Sequence, residues 1–219
     1  MSIEDLRFTP KLLSKPISRG WTVETTLQHS AIVTYWVDPS SLRQHLHPRF
    51  EPVCLVVEGE RRHALVSVVT FLDRDFRFVG CPWLKGSFGQ TNYRAYVEDT
   101  ETGEQAAWFF GTCLDSVSVV VPRHLWKLPW HRASMAFDCR YDASAARYST
   151  FGVTTHSDWA PGRLAIKDSG TAPVQLAGFA NLELVAEGDL RGVHSVLLQP
   201  SIDFTIYLPP SKVNCETTG

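Results

Sequence analysis

The chain has 219 residues, of which 44% are hydrophobic and 20% charged, and a formal net charge of -2. Those proportions support a folded core without disulfide or metal staples and argue against disorder. They also argue against a nucleic-acid-binding face, which needs a broad basic surface. The densest basic cluster, Arg61, Arg62 and His63, follows Glu58 and Glu60 and reads as a hairpin tip. No apolar stretch is long enough to cross a membrane as a helix. Met1 to Pro10 carries Glu4, Asp5 and Arg7 where a signal peptide would be apolar. The five cysteines include no C-x-x-C pair, so reduced thiols and a cytoplasmic location are expected. One domain over residues 1–219 is expected, with 1–21 as an arm on its surface.

Ala31 to Val37 is β-branched and aromatic, the composition of a buried strand. Asp38 and Pro39 then form a helix start, with an N-cap followed by proline in the first turn. That helix should run from about Pro39 to Leu46 and stop before Pro48. Pro52 to Glu58 and Arg62 to Phe71 read as strands joined by a turn at Gly59. Tyr93 to Glu98 and Gln105 to Phe110 read as a hairpin with a polar tip ending at Gly103. Ser116 to Leu128 looks helical in part, with a start or kink at Pro122. Further strands are expected at Ser134 to Tyr141, Tyr148 to Thr155, Arg163 to Asp168, Leu182 to Ala186 and Asp203 to Leu208. This order predicts a mainly β fold with a few short helices, not a parallel α/β sheet.

Motifs for nucleotide binding and for a nucleophilic serine are missing. His45 and His47 lack neighbouring acidic or cysteine ligands, so no metal is expected. Two segments carry polar groups among large aromatics: Phe88 to Val97 and Trp108 to Met135. Alternate residues of a strand share a face, so Gln90, Asn92, Arg94 and Tyr96 point the same way. Four such groups can hold a carboxylate or carbonyl oxygen. They can equally form the solvent face of a sheet whose core face is Thr91, Tyr93, Ala95 and Val97. Trp108, Phe110 and Trp130 suit either a pocket wall or a core.

The runs NYRAYV, AWFFGTCLDS and RHLWKLPWHRASM, together with the earlier YWVDPSSLRQHL, resemble the YqjF-like branch of the acetoacetate decarboxylase-like superfamily. The resemblance covers roughly residues 31–141. It implies a strongly bent antiparallel sheet forming a cone-like barrel, with the site on its inner face. The decarboxylase of that superfamily uses a lysine nucleophile just after a proline, activated by a neighbouring cation. Here Pro129 is followed by Trp130 and His131, which cannot form an imine. The pocket glutamate of the decarboxylase is matched by Gln90, which cannot transfer protons. Lys127 is the nearest amine in sequence.

Three readings result: an enzyme, a ligand-binding protein, and a purely structural or interaction module, which predicts a filled cone with no cavity. In the first, the protein is an enzyme on a small carboxylate- or carbonyl-bearing metabolite, of isomerase, dehydratase or cyclase type. Arg94 would orient the anion, His131 would move protons, and Lys127 is the reserve amine. Gln90, Asn92, Tyr96, Trp108, Phe110 and Trp130 would line the site. In the second, the same fold binds a small ligand without chemistry. Mutual geometry separates them, since an enzyme of this design needs Arg94 and His131 on one cavity. No cofactor is expected. The partner is a small anionic molecule, and a homo-oligomer stays open.

Overall fold

The computed structural model describes residues 20, 22–56, 62–116, 128–168 and 193–206. In chain order they form β1 (Val23–Val37), α1 (Pro39–Arg43), β2 (Phe50–Pro52), β3 (Cys54–Val56), β4 (Arg62–Phe78) and β5 (Cys81–Asp99). After these come β6 (Gln105–Leu114), β7 (Trp130–Arg132), β8 (Ser134–Asp142), β9 (Arg147–His156), β10 (Gly162–Ile166) and β11 (Val193–Ile206). The mainly β expectation holds. One eight-stranded sheet runs β11-β1-β4-β5-β6-β7, with β2 added on β5 and β3 on β4. Strands β8, β9 and β10 form a second, three-stranded sheet. The pairings are antiparallel except for β6 with β7, a short parallel ladder.

The large sheet is bent where its ladders slip. Register shifts fall between Gln28 and Ala31 on β1, between Asp73 and Phe76 on β4, and between Tyr93 and Arg94 on β5. An extra residue in one strand bends it and tightens its right-handed twist. His29 and Asp75, at two of these slips, hold φ values of 51° and 54°. The expected hairpin forms with Glu98 opposite Gln105 and Val97 opposite Ala106. Its tip is clamped from the residue just before β2, where the Arg49 Nε and Nη2 groups donate to the Asp99 carboxylate at 2.6–2.9 Å.

Helix α1 begins as expected. The Asp38 carboxylate accepts from Ser41 N–H at 2.9 Å, and Pro39 opens the first turn. It ends at Arg43 rather than Leu46. The N–H groups of His45 and Leu46 reach only three residues back, to Leu42 and Arg43, the tighter turn that often ends a helix. The expected helix within Ser116 to Leu128, the strand at Leu182 to Ala186, the arm at 1–21 and the Gly59 turn lie wholly or mostly outside the described residues.

Two apolar clusters hold the sheets. In the first, Ala31 and Val33 of β1 and Val196 of β11 meet Tyr148, Phe151, Val153 and Ile166 of the small sheet. In the second, Leu42 and Leu46 pack on Ala64, Ala95 and Val97, with Phe50, Trp108 and Phe110 around them. Both clusters lie on one face of the large sheet, here called the core face. By the pleat, that face carries Val66, Thr91, Tyr93, Ala95 and Gly111. The opposite, polar face carries Ser67, Gln90, Asn92, Arg94 and Thr112.

Candidate functional site

The polar face is buried despite its composition. Ser67 is 0% exposed, Thr112 2%, and Asn92 and Thr34 7% each. Half of the alternation read from the sequence was right: Thr91, Tyr93, Ala95 and Val97 do face the core. The solvent-face reading of the other half fails at Asn92, which is buried, while Gln90, Arg94 and Tyr96 are half-buried. Buried polar groups must satisfy one another. Thr34 Oγ1 lies 2.9 Å from Ser67 Oγ, which donates to Tyr96 Oη at 3.2 Å. Asn92 Oδ1 accepts from Gln90 Nε2 at 2.9 Å and from Thr112 Oγ1 at 2.8 Å.

Arg94 closes this row. Its Nη2 donates to Tyr96 Oη at 3.3 Å, and its Cζ lies 5.6 Å from the centre of the Tyr96 ring. Its Nε is buried and has no hydrogen-bond partner among the described residues. The neighbouring acids are spent or turned outward: Asp99 is held by Arg49 and Glu98 is exposed. A guanidinium with a buried, unused N–H beside a phenol ring is half of a charge-assisted pair.

The structure separates the other expected site residues into two groups. Trp130 pairs with Thr112 across the parallel β6–β7 ladder, which puts it on the polar face with Asn92 and Arg94. His131 pairs with Cys113 and therefore points to the core face. There its ring stacks on Trp159, with centroids 4.3 Å apart and planes 6° apart. Trp159 also meets Tyr93 edge-on at 5.3 Å. The expectation that Arg94 and His131 face one cavity is therefore not met: the alternation of adjacent strands turns them to opposite sides of the sheet. Trp108 and Phe110 are likewise on the core face, in the cluster with Leu42 and Phe50, and Trp108 meets Phe50 at a tilt of 52° with centroids 5.4 Å apart. Phe109, paired with Arg94 across the slipped register, is the aromatic of β6 that stands on the polar face. Lys127 lies outside the described residues.

Trp159 needs Gly111. A Cβ added there would run into the Trp159 indole, far inside contact distance. Gly111→Ala should therefore displace Trp159 and cost about 2 kcal/mol, as overpacked sites do. Urea denaturation with tryptophan fluorescence would read both the loss and the changed indole environment; an unshifted midpoint would contradict the packing described.

One group that sequence reasoning missed is Asp73. It sits opposite Phe88 on β5 and Leu27 on β1, on the polar face, and is 3% exposed. Its Oδ1 accepts from Thr25 Oγ1 at 2.9 Å. Burial pushes its carboxyl up to about 6, against a smaller lowering by Thr25. The signal was present: Val69, Phe71 and Asp73 alternate on one buried strand face, where an acid is out of place.

A cleft of about 800 Å³ opens where β7 and β8 meet the end of β9, lined by Asp115, Arg132, Ser134, His156, Ser157 and Asp158 among others. A second, of about 420 Å³, lies along the small sheet beside Phe137, Phe151 and Arg163. Neither is lined by Arg94 or Asp73.

The bent sheet with a small sheet packed on one face places the protein in the acetoacetate decarboxylase-like fold class. An acetoacetate decarboxylase-like enzyme from Sphingomonas wittichii RW1 is similar in structure, with a TM-score of 0.53 at 12% identity over 90% of this chain and 94% of that one. An acetoacetate decarboxylase from Legionella pneumophila gives 0.47 at 14% identity over 72% of this chain and 56% of that one. The enduracididine biosynthesis enzyme MppR complexed with pyruvate gives 0.48 at 14% identity over 78% and 65%. The chain thus spans less than two thirds of the length of some of these neighbours. No curated protein matches it in sequence. Residues 24–178 match the family DUF2071, described as an uncharacterized conserved protein (COG2071), and the chain belongs to that family.

Proposed function

We propose that this protein is an enzyme of small-molecule metabolism that holds an anionic ligand, a carboxylate or carbonyl-bearing compound, on the polar face around Arg94. The observation that carries this reading is the buried Arg94 Nε with no partner among the described residues. Burying a guanidinium N–H without a partner is costly, and a ligand carboxylate would supply the missing acceptor in bidentate form. Gln90, Asn92 and Tyr96 stand on the same face as neutral donors and acceptors. The resemblance puts Trp130 just after the proline that precedes the decarboxylases' nucleophilic lysine, and there it would give an apolar wall.

The chemistry is of a kind that needs no imine: isomerisation, dehydration or cyclisation by proton movement. Among the described residues the polar face carries no lysine. Acetoacetate followed by borohydride should therefore leave the mass of the protein unchanged. An adduct on Lys127 would show that this lysine enters the site and would overturn the imine-free assignment. The direct test of the anion site is thermal melting of the wild type with a panel of carboxylates of graded length. At least one should raise the midpoint in proportion to the logarithm of its concentration. A panel without effect would count against an anion site.

A further inference from the structure

We propose that the cleft of about 800 Å³ between β7, β8 and the end of β9 binds a free amino acid, its carboxylate on Arg132 and its ammonium on Asp158, and favours a basic side chain. The proposal is independent of the Arg94 reading, since Arg94 does not line this cleft. A space of this size is within the range of small-molecule sites.

The frame of the cleft is fixed by hydrogen bonds. Ala133 N–H donates to the Leu114 carbonyl at 3.0 Å and Asp115 N–H to the Gly89 carbonyl at 2.8 Å, which ties β7 and the end of β6 to β5. The Asp115 carboxylate accepts from Met135 N–H at 3.3 Å and is anchored to β8 by it. Ser157 Oγ donates to the Arg132 carbonyl at 3.3 Å and accepts from Trp159 N–H at 3.2 Å. These bonds draw the loop after β9, which carries Asp158, onto β7. Ser134 stands opposite His156 at the end of the β8–β9 ladder. Opposite residues of an antiparallel pair hold their Cβ atoms roughly 5 Å apart. Groups carried on strands and on a bonded loop keep their spacing when a ligand arrives.

The charges in this frame are of both signs and are not engaged with one another. Arg132, His156 and Asp158 are exposed and line one cleft, yet none of them makes an ion pair among the described residues. An exposed pair adds little to stability, so keeping these groups apart costs the fold little. It leaves a guanidinium for a carboxylate in bidentate geometry and a carboxylate for an ammonium. Ser134 and His156 line the same cleft as further hydrogen-bonding groups. Among the described residues, Asp115, His156 and Asp158 do not converge as the ligands of a metal ion would, so the acids suit a larger cation. A simple anion fits less well, because two carboxylates, Asp115 and Asp158, line the cleft against the one guanidinium of Arg132. Two negative charges less one positive leave an excess of one negative charge. An amino acid with a cationic side chain matches that excess, and one with an acidic side chain is repelled by it.

Isothermal titration of the full chain with L-lysine, L-alanine and L-glutamate tests this. L-lysine should bind most tightly and L-glutamate most weakly. Arg132→Gln and Asp158→Asn alter exposed side chains and should melt like the wild type. Each should weaken L-lysine binding by about tenfold or more, the loss expected for a hydrogen bond to a charged group. Arg132→Lys takes the place of the glutamine variant if that one does not fold. Arg163→Gln, on the cleft along the small sheet, should leave the affinity unchanged. Pentane-1,5-diamine, which is L-lysine without its carboxylate, should bind at least tenfold more weakly. Equal binding of the diamine would overturn the role of Arg132 and reduce the cleft to a cation site. If none of the amino acids binds, or if L-lysine binding survives both cleft substitutions, the proposal falls. If Arg94→Met removes that binding and Arg132→Gln does not, the ligand lies on the polar face and the cleft assignment falls while the Arg94 reading stands.

Discussion

Arg94→Met should weaken carboxylate binding by roughly 2–5 kcal/mol, the range for truncating one member of a buried charged pair. Methionine keeps the apolar stem over the Tyr96 ring and removes the charge and all of the N–H groups. The loss should appear as faster dissociation, since a buried hydrogen-bonded pair acts on the off-rate. The free protein should fold normally. Among the described residues its guanidinium makes one hydrogen bond, to Tyr96 Oη at 3.3 Å, and its Nε has no partner. Removing an underpaired buried charge costs little and can stabilise. The competing outcome is a melt several kcal/mol lower without ligand and no change in carboxylate response. That result would mean that Arg94 is a structural cation held by a protein acceptor, and the anion site would be lost.

Much of this fold is legible in the sequence because period and turn chemistry are local. The β-branched run at Ala31, the Asp38-Pro39 helix start and the Gly103 hairpin tip each declare themselves within a few residues. The alternation of β5 also declares which residues travel together, so Gln90, Asn92, Arg94 and Tyr96 were grouped correctly. What alternation cannot give is the register between strands. His131 was placed with Arg94 because both lie in aromatic-rich segments that resemble one family. Its face depends on the parallel pairing of Cys113 with His131, and a shift of one residue would have reversed it. For Trp108 and Phe110 the core reading holds over the pocket-wall one, and the slip opposite Tyr93 and Arg94 is what decides which aromatics of β6 face the core. Asp73 was missed because an acid in a strand reads as an exposed residue until its neighbours are known to be buried on both sides.

Asp73→Asn should make the protein more stable at pH 7, by up to about 3 kcal/mol, and this gain should vanish near pH 4. The argument follows the protons. The ordinary value for the side chain is 3.8, which the unfolded chain should show, and burial in the folded chain raises it to about 6. Between those values the folded state holds more protons than the unfolded state. Stability therefore falls as pH rises through this window, by about 1.4 kcal/mol per unit, and levels off above it. The wild type thus carries its full penalty at neutral pH, where a carboxylate is held out of water with Thr25 as its hydrogen-bond donor among the described side chains. Asparagine is nearly isosteric, retains an oxygen for Thr25 and does not titrate. Its amide hydrogens need partners of their own, which reduces the gain. Urea denaturation of both proteins at pH 4, 5 and 7 would show two curves that coincide in acid and separate toward neutrality. A constant gap across that range would place the titration elsewhere, and a wild type more stable at pH 7 would mean that the charge is paired. If the curves do separate, the natural protein keeps a group that weakens its own fold. That pattern belongs to residues retained for what they do to a ligand rather than for what they hold together.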